Sequence, residues 1–171
     1  MMGTLVERMI VASERDTGES ADFMRDIYRA SKAAFWKFGM FMPLSRHRRA
    51  ATAEAKAVAG LVGSLSEDCG TCVQIHVNLA RKEGVGRDIL QAVLDGKPGN
   101  LAPDLAAVYE FAQSVVTASP DAGERSDQLK ELLGEEAVVD LSLAIATARL
   151  FPIVKRGLGY GVSCSLVQVR A

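Results

Sequence analysis

The chain has 171 residues, enough for one domain to bury a hydrophobic core without metal or disulfide staples. Hydrophobic residues make up 49% and charged residues 24%, a balance that excludes a disordered chain. A formal net charge of −1 gives no electrostatic reason to expect nucleic acid or an anionic membrane as a partner. The first twelve residues carry Glu7 and Arg8 and lack the apolar core of a secretory leader. The stretch closest to a membrane span, 50–65, is interrupted by Glu54 and Lys56. A cytoplasmic location is therefore expected, where a close cysteine pair points to catalysis or metal binding rather than to a structural bridge.

Alanine, leucine and long charged residues are abundant, so the whole chain, 1–171, reads as one all-α helical bundle. Ser20-Ala21-Asp22 opens a helix over about 22–38 with Phe23, Ile27, Ala30, Ala34 and Phe38 on one stripe, ended by Gly39 and Pro43. Trp36 on that helix reads as a core or interface residue. An alanine-rich helix over 45–62 follows, with the basic run Arg46-His47-Arg48-Arg49 as its solvated start. Next come a helix over 69–82 ended by Gly84, a short helix over 86–94, and a turn at Asp95-Gly96-Lys97-Pro98-Gly99-Asn100. Pro103 begins a helix to about residue 118, a polar helix ends at Gly134, and the most apolar helix covers 135–151 before Pro152 interrupts it. Within it, Asp140 is expected on an exposed stripe with Glu136. Glycines at 157, 159 and 161 and the alternating Val162, Cys164 and Leu166 suggest a short strand or extended arm at the end.

The chemistry concentrates in Glu67-Asp68-Cys69-Gly70-Thr71-Cys72-Val73-Gln74-Ile75-His76. Cysteines three apart in a helical turn can form a local disulfide, and His76 projects one turn after Cys72 on the same face. A helix start stabilises thiolate through its free N–H groups and dipole, and an imidazole can accept or relay the thiol proton. Zinc is a weaker reading, because a structural site needs four ligands and His47 and Cys164 show no metal spacing. Inert buried cysteines are the plain alternative, and Cys164 reads as one. No metal, haem or flavin is called for, since sulfur supplies the electrons.

This run resembles the active-site motif of the alkylhydroperoxidase D-like branch of the carboxymuconolactone decarboxylase superfamily, in a Glu-Asp-Cys-Gly-x-Cys version. The likeness is clearest over 50–94 and looser across Ala148-Arg149-Leu150-Phe151-Pro152 and Lys155-Arg156. It implies an all-α fold of about seven to eight helices and a two-cysteine peroxidase or disulfide oxidoreductase, with an antioxidant role. By motif position Cys72 would attack peroxide, Cys69 would resolve the sulfenic acid, and His76 would relay protons. The resemblance also implies a homo-oligomer, a hydroperoxide or disulfide substrate and an external dithiol reductant. Two departures stand out. The family's glutamate twelve residues before the first cysteine is Ala57 here, and a histidine found between the cysteines in some members is Thr71. Glu67 is the candidate replacement carboxylate and Glu54 the second choice; the plain reading of Glu67 is an acid complementing the helix dipole. Arg149, Lys155 and Arg156 suit a substrate entrance or simply a helix end. Two further functions fit the superfamily or the motif: a decarboxylase-like reaction on a small lactone acid, and a redox-responsive oligomer without turnover.

Overall fold

In the computed structural model, which describes residues 4–160, 167 and 169, capping chemistry sets several helix boundaries. Helix α1 (Thr4–Thr17), for which the sequence carried no assigned element, stops where Gly18 takes a φ of 79°. The helix expected over 22–38 is two: α2 (Asp22–Ala30) and α3 (Lys32–Gly39). Ser31 divides them, because its backbone is extended and its hydroxyl accepts a hydrogen bond from the Ala34 N–H at 3.2 Å. After the short α4 (Phe41–Ser45) the chain is irregular through residues 46–52. Only then does α5 (Ala53–Leu65) begin, capped by the Thr52 hydroxyl on the Ala55 N–H at 3.1 Å. The Arg46–Arg49 run is thus part of a connection, not a helix start.

The remaining elements are α6 (Gly70–Lys82), α7 (Arg87–Leu94), a single 3-10 turn at Pro98–Asn100, α8 (Pro103–Val116), α9 (Ala122–Leu133) and α10 (Glu135–Gly157). No strand occurs among the described residues, and the all-α, single-domain expectation holds. The expected arm around Val162, Cys164 and Leu166 lies outside the described residues.

Helix α5 occupies the middle of the main core, with α6, α7, α8 and α10 packed around it. Its small residues let neighbours come close: a Cβ added at Gly63 would meet the Ile145 carbonyl oxygen of α10 at 2.9 Å. Val58, Leu61, Val62, Val77, Leu90, Val108, Leu141 and Ile145 fill this core. A second, smaller core joins α1, α2 and α3 through Val6, Ile10, Phe23, Ile27 and Phe35 to Phe151 and Val154 on the last part of α10. Edge-on rings tie this layer together, Phe38 to Phe23 at 6.3 Å and to Phe151 at 5.4 Å between centroids. Trp36 is not in the core; it stands 50% exposed against the edge of Phe35.

Two expectations for α10 are corrected. Pro152 does not interrupt it: the helix continues to Gly157, since the two cores grip it before and after the proline and offset the missing hydrogen bond to the Ala148 carbonyl. Asp140 is fully buried rather than exposed. Its Oδ2 accepts hydrogen bonds from the N–H groups of Arg49, Ala50 and Ala51 at 2.7, 2.8 and 3.0 Å, and His47 Nε2 lies 3.3 Å from Oδ1. Burial opposes the charge on Asp140, but the three N–H groups and His47 outweigh it and lower its pKa. The acid therefore anchors the irregular 46–52 connection to α10. The stretch nearest to a membrane span is also α10 and not 50–65: by length and composition alone, this helix is long and apolar enough to cross a membrane. Half of that apolar window is buried inside the protein, as suits a core helix.

Candidate functional site

The turn between α5 and α6 delivers the cysteines. Asp68 adopts φ 50°, a left-handed conformation that aspartate tolerates better than most residues, and Cys69 is the N-cap of α6. Cys69 and Cys72 form a disulfide across 5.2 Å between their Cα atoms, and both are buried. The spacing expectation of a local bridge is thereby realised in the geometry.

Glu67 sits just before this turn, buried, and is gripped from α10. Arg149 Nε donates to its Oε1 at 2.8 Å, and Arg156 donates to its Oε2 at 3.2 Å and to its backbone carbonyl at 2.6 Å. The two arginines expected at a substrate entrance or helix end thus pair with the acid expected to act as a relay. Such a pairing fixes the turn against α10. Neither Glu67 nor Glu54, in the first turn of α5, is among the residues that line the cavities beside His76.

On the other side of the disulfide, Lys155 Nζ donates to Thr71 Oγ1 at 3.0 Å, and Thr71 Oγ1 is 3.5 Å from Cys69 Sγ. A disulfide sulfur carries no proton, so the Thr71 hydroxyl is the donor to sulfur here. Lys155 also lies 5.9 Å from the centre of the Phe23 ring. Burial pulls its pKa below the ordinary lysine value, with Glu19 opposing. A cation, a hydroxyl and a sulfur therefore stand in line.

His76 follows Cys72 by one turn, as its spacing predicts. It packs over Gly60 of α5, where an added Cβ would come within 3.3 Å of its Nδ1. It makes no hydrogen bond to a described residue. Burial, and then the charge of Lys56, lower its pKa from 6.5 to about 4, so the ring is neutral at physiological pH. A neutral imidazole accepts a proton transiently but does not retain it.

Two cavities meet at this ring. The smaller, about 100 Å³, is lined by Cys72, His76, Lys155 and Phe23 together with Thr17 of α1 and Pro152 of α10. The larger, about 380 Å³, is lined by His76 and Lys56 with Ala57, Gly60, Met42 and Phe151 among its walls. Ala57, where the resemblance places a glutamate, faces this larger space. Among the described residues, no group of three or more His, Cys, Asp or Glu is placed to hold a metal ion. Cys164 lies outside the described residues.

Sequence reasoning missed Lys56, Gly60 and the contribution of the N-terminal helices, and it gave Thr71 only as a departure from a pattern. One signal was present: Lys56 and Gly60 are one turn apart on a helix that is small and apolar from Ala57 to Gly63, where a lysine requires an outlet.

No protein-family model matches this chain, and no curated protein matches it significantly.

Proposed function

We propose that this chain is a thiol-dependent oxidoreductase of the alkylhydroperoxidase D-like kind, cytoplasmic and homo-oligomeric, which reduces hydroperoxides with the Cys69–Cys72 pair. The observation that carries the reading is a disulfide between these residues at a helix start, with Cys72 and His76 on the wall of one cavity. That cavity has room for a hydroperoxide group or several waters.

The residues support an ordered sequence. His76 takes the Cys72 thiol proton, and the thiolate attacks the outer oxygen of the hydroperoxide. The O–O bond breaks, Cys72 becomes a sulfenic acid, and the leaving alkoxide takes up the proton that His76, with its lowered pKa, does not keep. Cys69 thiolate then attacks the Cys72 sulfur, and hydroxide leaves as water once protonated. The two electrons lost by the thiols end on the oxygens of the broken O–O bond, and the disulfide is the oxidised product. An external dithiol resets the pair: one of its thiolates attacks Cys72, Cys69 leaves, and the second thiolate releases Cys72. Thr71, backed by Lys155, supports the departing Cys69 thiolate by a hydrogen bond. The Glu67–Arg149–Arg156 pairing holds the turn rather than moving protons.

The test is a steady-state assay with cumene hydroperoxide and a lipoyl or dithiothreitol reductant, on the wild type and on Cys69→Ser and Cys72→Ser. Turnover in the wild type, lost in both variants, supports the reading. Equal rates in wild type and Cys72→Ser contradict it.

A further inference from the structure

The larger cavity beside His76 holds a charge that the thiol chemistry does not use. Lys56 is partly buried on its wall and makes no hydrogen bond or ion pair to any described residue. The other charges that line or face the space are accounted for. Asp16 of α1 takes Arg46 at 3.0 Å and Lys82 of α6 at 3.3 Å, and Glu83 at the end of α6 takes Arg48 at 3.5 Å. Asp140 is occupied by three backbone N–H groups and His47. Lys56 feels the charges of Glu83 and Asp140 at a distance, opposed by Arg48 and Arg46, but no described group accepts a hydrogen bond from it, and a partly buried ammonium without a direct acceptor calls for an anion.

The rest of the wall states what kind of anion. Met42, Ala57, Ile75, Leu79, Ala144 and Phe151 are apolar, and about 380 Å³ lies at the lower end of the range for organic-ligand pockets. A hydrophilic inorganic ion would leave that surface unmatched. Lys56 and Gly60 share a face of α5 one turn apart, and the His76 ring rests on Gly60, so a group bound at Lys56 lies next to His76. Thr17, Ile75, His76 and Phe151 wall both cavities, so an extended molecule anchored at Lys56 is directed toward Cys72.

We propose that this cavity binds an aliphatic carboxylate, with the carboxylate on Lys56 and the chain along the apolar wall toward Cys72. That the bound molecule is the substrate, a hydroperoxide bearing a carboxylate, rests on the peroxidase reading; the binding itself does not.

The experiment uses the full chain in its disulfide form, with hexanoate as probe and 1-hexanol as its neutral counterpart. Binding is followed by calorimetry and by the ring resonances of His76, which are readily separated because the chain has two histidines. Hexanoate is expected to bind saturably, to raise the His76 pKa by offsetting the Lys56 charge, and to bind at least about tenfold more tightly than 1-hexanol. Lys56→Gln should lose that preference and Lys56→Arg should keep it, with thermal unfolding confirming that both variants fold. Absent binding, an unmoved His76 resonance, or equal affinity for Lys56→Gln overturns the proposal. Hexanoate binding in a protein without peroxide turnover would leave the anchor standing and remove the peroxidase reading instead.

Discussion

His76 should make this protein acid-sensitive in a way that one substitution removes. The folded protein holds its imidazole neutral, with a pKa lowered from 6.5 to about 4 by burial and by Lys56. The sign follows from proton counting: between these values the unfolded chain binds a proton that the folded chain refuses, so stability falls as pH falls. The contribution is fully present above about 6.5 and is lost progressively as pH drops through about 4. At about 1.4 kcal/mol per pH unit, taking the protein from pH 7 to about pH 4.5 costs about 2 kcal/mol from this residue alone. Urea unfolding of the wild type and His76→Gln at both pH values isolates it, because the carboxylates and the His47–Asp140 contact are common to the two proteins. The wild type should lose about 2 kcal/mol more than the variant over this interval. Equal losses would show that the ring is hydrated and titrates normally, and would refute the burial argument.

Other consequences are equally direct. Gly63→Ala should destabilise by about 1–3 kcal/mol, because its Cβ meets the Ile145 carbonyl of α10, whereas Gly123→Ala, with open space around it in α9, should stabilise by about 0.5–1 kcal/mol; chemical denaturation measures both. Asp140→Ala strands three buried or partly buried N–H groups and should cost about 3–5 kcal/mol in the same assay, with amide exchange of Arg49, Ala50 and Ala51 accelerated. Glu67→Gln should leave the pH profile of iodoacetamide labelling of the reduced pair nearly unchanged while lowering stability, since its carboxylate pairs with Arg149 and Arg156. A profile shifted to higher pH would return Glu67 to a proton-accepting role. Thr71→Val should instead slow reduction of the disulfide by an external dithiol, read by stopped-flow fluorescence, and an unchanged rate would remove the Lys155–Thr71 support.

What the sequence made legible was local. The run from Cys69 to His76 carries its own geometry, since a helix start, a three-residue spacing and a four-residue spacing are set by helix periodicity alone. The helical character of the chain and the ends of α6, α7 and α8 follow from the same local rules. The misreadings share a cause in long-range packing. Asp140 looks exposed beside Glu136, yet its partners are N–H groups 89 to 91 residues away, which no window of sequence contains. Pro152 reads as a stop, but α10 continues because α5 and the N-terminal helices hold it before and after. Ser31 went the other way: a hydroxyl that caps α3 was hidden inside an unbroken apolar stripe. The pairing of Glu67 with two arginines of α10 belongs to this class as well, for it joins residues 82 and 89 positions apart.

The central claim is that Cys69 and Cys72 exchange electrons with peroxide, and one measurement addresses it most directly. The protein is reduced, freed of reductant, and given one equivalent of cumene hydroperoxide under native conditions, with remaining peroxide and intact mass followed together. The account predicts stoichiometric loss of peroxide and a mass lower by two hydrogens, with Cys69 and Cys72 joined and Cys72→Ser inert. Free thiols persisting beside unconsumed peroxide would contradict it.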